Sequence, residues 1–316
     1  MPSFVDPVAF VSARVAPAFT TGRVVIHSDD GTLGDYTHWL PEFVAKHSVS
    51  RFLRSRLAPF CPAINSEFIG NWNRMTWPMV REIQARGGEI LSHGRQHLGY
   101  RDYPLTAAAS AGATAVTISS SFGPRVYQAA NAGNGITHEI AEGATTEAVT
   151  VTGDTSGVLS LSAPLTGSYT TAAVIRLSEA SMLANIQGCS DDAEAAGIRP
   201  LRHHVWAWHD QSETAKGRVS PILDSARAGN QHIIDPSDEI DRYDLNSRLD
   251  SSLTEATIDT LLDTVQAVDG VLIVYGHGGT GETAVANLAY LIDQCISRGV
   301  RIVTHSEAVA YLQASD

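Results

Sequence analysis

Short apolar runs that stop abruptly at polar residues alternate with amphipathic stretches in both the N- and C-terminal parts of this 316-residue chain, and that alternation constrains the fold most. Residues 22–26 are a β-branched run ending at His27-Ser28-Asp29-Asp30-Gly31, and residues 89–92 form a second short strand running into His93. Residues 39–47 carry apolar side chains at helical spacing, and residues 75–86 do the same before closing on Gly87-Gly88. Further on, residues 180–196, 254–268 and 284–297 read as helices, with strands over 271–275 and 300–304. Strands alternating with helices predict a parallel α/β sheet or barrel, in which the C-terminal ends of the strands share one face and carry the chemistry.

The middle of the chain has a different character. From about residue 106 to 178 only six of 73 residues are charged, against 50 of the remaining 243, and Lys, Trp, Cys and Met are absent. Alternating runs at 114–118, 147–152 and 157–162, separated by turn residues, predict a small β-barrel or sandwich. The expected organisation is therefore a barrel in two parts, residues 1–105 and 179–316, interrupted by a small all-β domain over 106–178.

Composition narrows the function. With 34 acidic against 22 basic side chains the net charge is −12, and no run of Lys and Arg offers a basic stripe, so neither nucleic acid nor an anionic membrane is an expected partner. Cys61, Cys189 and Cys295 are odd in number and far apart, which predicts buried free thiols. Residues 1–17 lack a basic start with a long apolar run, and no stretch of 18 apolar residues occurs. The expectation is a soluble product with no export signal and no membrane span.

His93 and His97 stand four apart, a spacing that on a helical turn puts both imidazoles on one face, where they can share one metal ion. Twelve histidines produce such a pair by chance, and solvated or core histidines fit it equally. Asp29-Asp30-Gly31 alone is an ordinary turn or helix cap. Context joins the two: both follow predicted strands, and one carboxylate with two histidines leaves coordination positions open, as a catalytic metal requires. His277, after the strand 271–274, sits in a glycine-rich turn that lacks the Gly-Lys-Ser/Thr ending of a phosphate loop; a general acid is its functional reading. The segment 199–209 is dense in Arg, His and Trp and suits core packing or a sugar-stacking wall equally. His203 and His204, adjacent on a strand, face opposite sides, so at most one enters a site.

Taken in order, these elements resemble the NodB-homology polysaccharide deacetylases, carbohydrate esterase family 4. The resemblance rests on residues 24–31, on 75–97 with its His-x-x-x-His motif, and on 243–248, 271–277 and 300–307. It covers about residues 20–100 and 179–312, and it implies a distorted (β/α)7 TIM-like barrel. By this resemblance Asp30, His93 and His97 bind one divalent metal, zinc first, with cobalt, nickel or iron(II) as alternatives; Asp29 is the general base and His277 the general acid. Ser28 stands where the family usually has an aromatic residue, and the family's third motif, which carries a base-orienting arginine, is degraded. Arg199, Arg202 or the Trp206-Ala207-Trp208 stretch replaces it, with Arg202 the catalytic candidate and Trp206, Trp208 and Tyr275 the substrate-binding ones.

The insert is similar to small β modules of phage tail and baseplate proteins, through residues 111–114, 147–151 and 159–165. The resemblance implies metal-dependent removal of N- or O-acetyl groups from a cell-surface polysaccharide, by a virion tail component or a cytoplasmic protein, with homo-oligomers or virion tail proteins as partners. A glycan-binding module on a catalytically decayed barrel is the alternative, favoured by the degraded motif. An iron oxygenase has the same ligand types but leaves Asp29 unused.

Overall fold

The β-branched run forms β1 (Arg23–Ser28), which is covered on both faces and so reads as an unbroken apolar stretch rather than an alternating one. The computed structural model describes residues 22–52, 58–131, 136–229, 232–249, 253–278 and 282–315. Residues 1–17, on which the absence of an export signal was argued, lie outside these, as do Gly279 to Gly281 of the glycine-rich turn.

After β1 come α1 (Leu40–Phe52), β2 (Cys61–Ile64), α2 (Trp77–Ala85) and β3 (Leu91–Ser92). Pro78 occupies the first turn of α2, where its missing N–H costs nothing. The insert follows, with β4 (Tyr103–Pro104), β5 (Ala115–Thr117), α3 (Gly123–Asn131), β6 (His138–Glu142), β7 (Thr145–Val149), β8 (Val151–Thr155), β9 (Val158–Leu161) and β10 (Val174–Leu177). The chain then returns to the barrel through α4 (Glu179–Ala195), β11 (His203–Val205), α5 (Glu213–Val219), β12 (Ser225–Arg227) and β13 (Arg248–Leu249). It ends with α6 (Glu255–Ala267), β14 (Val271–Gly276), α7 (Glu282–Arg298), β15 (Arg301–Ile302) and α8 (His305–Ser315).

The barrel strands run in the order β12-β11-β3-β2-β1-β14-β13, all parallel. One edge of β1 is shared: β2 pairs with its C-terminal end and β15 with its N-terminal end. An isolated bridge from Arg227 to Leu245 carries the curl of the sheet toward closure, giving a distorted (β/α) barrel. Val25, Ala63, Leu91, Val205 and Ile273 point into its interior, which α8 fills from one side with Val309 and Leu312. Val24, Ile26 and Ile64 point outward onto α1, α2, α6 and α7. Each such aliphatic side chain contributes roughly 1.5–3 kcal/mol on burial.

In the insert, β4-β10-β6-β7 and β5-β9-β8 are two antiparallel sheets around an apolar cluster of their own, centred on Val116, Ile140, Leu159 and Ile175. The run 147–152, read above as one strand, divides at Thr150 because the chain leaves one sheet there and enters the other. The helix α3 is an addition that the Thr-, Ser- and Ala-rich composition did not announce. Cys61, Cys189 and Cys295 are buried and free. Among the described residues no helix is long and apolar enough to cross a membrane.

Candidate active site

Parallel strands deliver their C-terminal ends to one rim, and the polar residues after β1, β3, β11, β12 and β14 gather there. Asp30 follows β1 in a left-handed conformation, φ 75°, and Arg74 Nη1 donates to its carbonyl at 2.7 Å. His93 and His97 follow β3, but not on a helical turn: the chain bends at Gly94, φ 83°, where a Cβ would meet Asn185 Nδ2 at 2.5 Å. The bend nonetheless brings the two rings edge to face, 4.8 Å apart.

Asp30 Oδ1 lies 3.5 Å from His93 Nε2 and 3.5 Å from His97 Nε2, and the three potential ligand atoms all fall within 4.8 Å of one another. Bonds of about 2.0–2.1 Å around a tetrahedral ion separate ligand atoms by roughly 3.3 Å, so both edges from Asp30 have near-ligand spacing. The hydrogen bonding also calls for a cation. His93 Nδ1 lies 2.7 Å from Val205 O, and a carbonyl only accepts, so Nδ1 carries the proton and Nε2 turns its lone pair toward a carboxylate oxygen. A proton or a metal ion must occupy that gap. At His97 burial pushes the imidazole pKa down to about 4, so it is neutral at pH 7 and can act as a ligand. Burial opposes the charge on Asp30, but hydrogen bonding and charge from His93, with charge from His97 and Arg74, outweigh it and hold the carboxyl well below the usual range.

Asp29 is buried beside this group. Its two oxygens each accept from Arg227 Nη2 at 2.6 Å, and its backbone N–H donates to Gly276 O. Arg227, the last residue of β12, is fully buried; Nη1 donates to Ser247 Oγ at 3.0 Å, and the Tyr275 ring stacks 4.3 Å from Cζ. Ser247 in turn donates to Ala228 O. Arg202 does not have this place. It precedes β11 and so lies at the opposite end of a parallel strand, exposed and paired with Asp224 at 3.0 Å. The arginine beside Asp29 therefore comes from β12, and the sequence reading missed it because a three-residue strand leaves no periodic signal.

Of the aromatic candidates, Trp206 is a core residue, 1% exposed, with Nε1 donating to Tyr243 O; it forms no substrate wall. Trp208 is partly exposed and stands edge-on to His97 at 4.4 Å. Tyr275 is mostly buried, its hydroxyl 2.9 Å from His209 Nε2. Trp208 and His209 both have positive φ, 52° and 56°, a conformation that costs about 1–2 kcal/mol per non-glycine residue and marks this turn as strained. His209, whose pKa burial lowers to about 4, is a further rim residue that the sequence reading left unassigned. His203 and His204 face opposite sides, as adjacent strand residues must. His203 bonds to Ser225 and Ser306, and His204 packs on Tyr100 and Trp206.

His277 is exposed just beyond β14, neighbouring Asp29 across the β1–β14 pair. Thr32 Oγ1 donates to its carbonyl at 3.2 Å. The loop around Thr32 is pinned by Asp35, which accepts from Ser28 and Thr32; burial pushes its carboxyl up to about 7. Ser28 thus serves as a donor to this buried acid.

No protein-family model matches the chain, and no curated protein matches it in sequence. Solved structures similar to it include the Xyl-CE4 domain of a multidomain xylanase from the hindgut metagenome of Trinervitermes trinervoides, at 11% identity and TM-score 0.49, covering 92% of this chain and 91% of that one. A family 4 carbohydrate esterase from Streptomyces lividans in complex with acetate is similar at 10% identity and TM-score 0.47, covering 89% and 92%. A third, a mutant of BA3943, a CE4 family pseudoenzyme with restored enzymatic activity, matches at 9% identity and TM-score 0.47, covering 92% and 69%.

Proposed function

We propose that this chain is a metal-dependent deacetylase that hydrolyses N- or O-acetyl groups on a polysaccharide. The observation that carries the reading is the convergence of Asp30, His93 and His97 beside an Asp29 carboxylate gripped by a buried arginine. One carboxylate and two imidazoles suit zinc and leave it an open position. A divalent ion held there would polarise the acyl carbonyl and acidify a water. Asp29 accepts the proton of the attacking water as the new C–O bond forms, and Arg227 keeps both carboxylate oxygens oriented for that transfer. The acyl C–N or C–O bond then breaks, and His277 gives a proton to the departing amine or alkoxide, yielding acetate and the free sugar group. Arg227 also weakens the case for a decayed binding module, which rested on the degraded third motif.

Acetate release from acetylated oligosaccharides and an aryl acetate, by protein stripped of metal and reloaded with zinc or cobalt, tests this. Metal-dependent release abolished by Asp29→Asn is the expected result. One ion bound per chain with no acetate from any substrate would hand the site to glycan binding instead.

A further inference from the structure

Arg125 of the insert packs against the barrel loop that carries Trp208, beside the candidate metal site. Arg125, on α3, donates from Nη1 to Asp210 Oδ2 at 2.6 Å, and the same oxygen accepts from the Tyr103 hydroxyl at 3.1 Å. Asp210 is buried and follows directly on the strained Trp208-His209 turn. The Arg125 guanidinium also lies 5.3 Å from the centroid of the Trp208 ring, which in turn stands edge-on to His97. One indole therefore separates an insert residue from an imidazole of the metal-binding group.

The geometry suits a ligand as well as a domain contact. Arg125 keeps 32% of its side chain exposed while Asp210 keeps 4%, so the ion pair is anchored on its barrel side and open on the other. Trp208 is also partly exposed, and the left-handed turn that presents it is conformationally costly. Asp210 compensates the charge of Arg125, so the pair does not select for an anion. A guanidinium over the indole, with both side chains partly exposed, presents N–H donors next to an apolar edge, which matches a neutral pyranose with its hydroxyls and C–H groups.

We propose that Arg125 and Trp208 form a saccharide subsite, shared between insert and barrel, that binds a neutral sugar ring next to the acetylated one. Arg125 is then a specificity-determining residue, and the insert sets the preference for a polymer over a small ester. This rests on the deacetylase reading for its substrate class.

The test compares wild type, Arg125→Ala and Arg125→Lys on N-acetylchitotetraose, acetylated xylotetraose and 4-nitrophenyl acetate. Lysine keeps the charge opposite Asp210 but loses the plane. Both variants should lower the ratio of kcat/KM on the better tetrasaccharide to that on the aryl ester by ten-fold or more, mainly through KM. An equal loss on both substrates would make Arg125 a prop for the Trp208 turn and overturn the subsite, as would an unchanged ratio. Wild type that releases no acetate from any of the three defeats the deacetylase reading. Calorimetry with both tetrasaccharides then decides the subsite: affinity at least five-fold weaker in both variants upholds it, and equal affinity or no binding to wild type overturns it.

Discussion

At the scale of single residues, Asp29 and Arg227 are one unit. A carboxylate and a guanidinium this deeply buried are tolerated because each compensates the other, and truncating one partner leaves an unpaired charge costing about 3–5 kcal/mol. Arg227→Gln should therefore lower the urea midpoint by that equivalent and cut turnover as well; a variant with wild-type stability would show that the pair is not desolvated in solution. Asp29→Asn keeps the shape, leaves the Arg227 charge uncompensated at a comparable cost in stability, and removes the proposed base. It should bind metal as wild type does, by competition with a chromophoric chelator, and lose about 100- to 10,000-fold in kcat, the usual worth of a positioned base. Near-full activity in that variant would remove Asp29 from the mechanism. His93→Ala, by contrast, should lose the metal itself.

At the scale of elements, the rim depends on two loops in unusually close approach. Gly278, φ 57°, sits where a Cβ would come 2.0 Å from Asp35 Oδ1, and a Cβ on Gly34 would fall 1.9 Å from Gly278 O. Neither loop can give way without disturbing the other. Gly278→Ala should displace His277 while leaving Asp30, His93 and His97 in place, so acetate release falls ten-fold or more at unchanged metal stoichiometry. Normal turnover in that variant would mean that the loop adapts and that the location of His277 is not critical. The same scale explains what was legible in the sequence. The run 22–26 and the run 271–275 announce β1 and β14 because strands covered on both faces must be continuously apolar, and the polar residues after them then mark the rim. β12 is three residues long, Ser-Ala-Arg, with no periodicity to detect, so Arg227 stayed hidden and Arg202, from the segment dense in Arg, His and Trp, stood in its place. Trp206 and Trp208 are equivalent in sequence; only the positive φ at Trp208 turns one outward while its neighbour fills the core. No single-sequence pattern encodes that turn.

At the scale of the whole molecule, the fold buries several imidazoles, and that gives it a characteristic response to acid. His27, His203 and His305 meet inside the barrel, where His305 Nδ1 lies 3.2 Å from His27 Nε2 and both His305 and His203 bond to Ser225. His204 is buried on the opposite face of β11, and His138 lies in the core of the insert. Burial lowers the pKa of all five, to about 4 for His138. Among the described residues Nδ1 of His27 and of His138 meets no hydrogen-bond partner, so a second proton there would go unanswered. The sign follows from linkage. Above the unfolded value of about 6.5 these groups are neutral in both states and do not affect stability; below it the unfolded chain binds protons that the fold excludes, and stability falls until the folded pKa is reached. Each group removes up to about 1.4 kcal/mol per pH unit inside that window; His97 and His209, lowered by burial to about 4, add to the same side, whereas Asp35, whose carboxyl burial raises to about 7, opposes them by keeping a proton that the unfolded chain has lost. The urea midpoint should therefore drop as pH falls below 6.5, before most carboxylates are protonated. A midpoint that held level from pH 7 to 5 would show that the interior histidines take up protons without unfolding, and the hydrogen-bonded chain through Ser225 would then have to carry that charge.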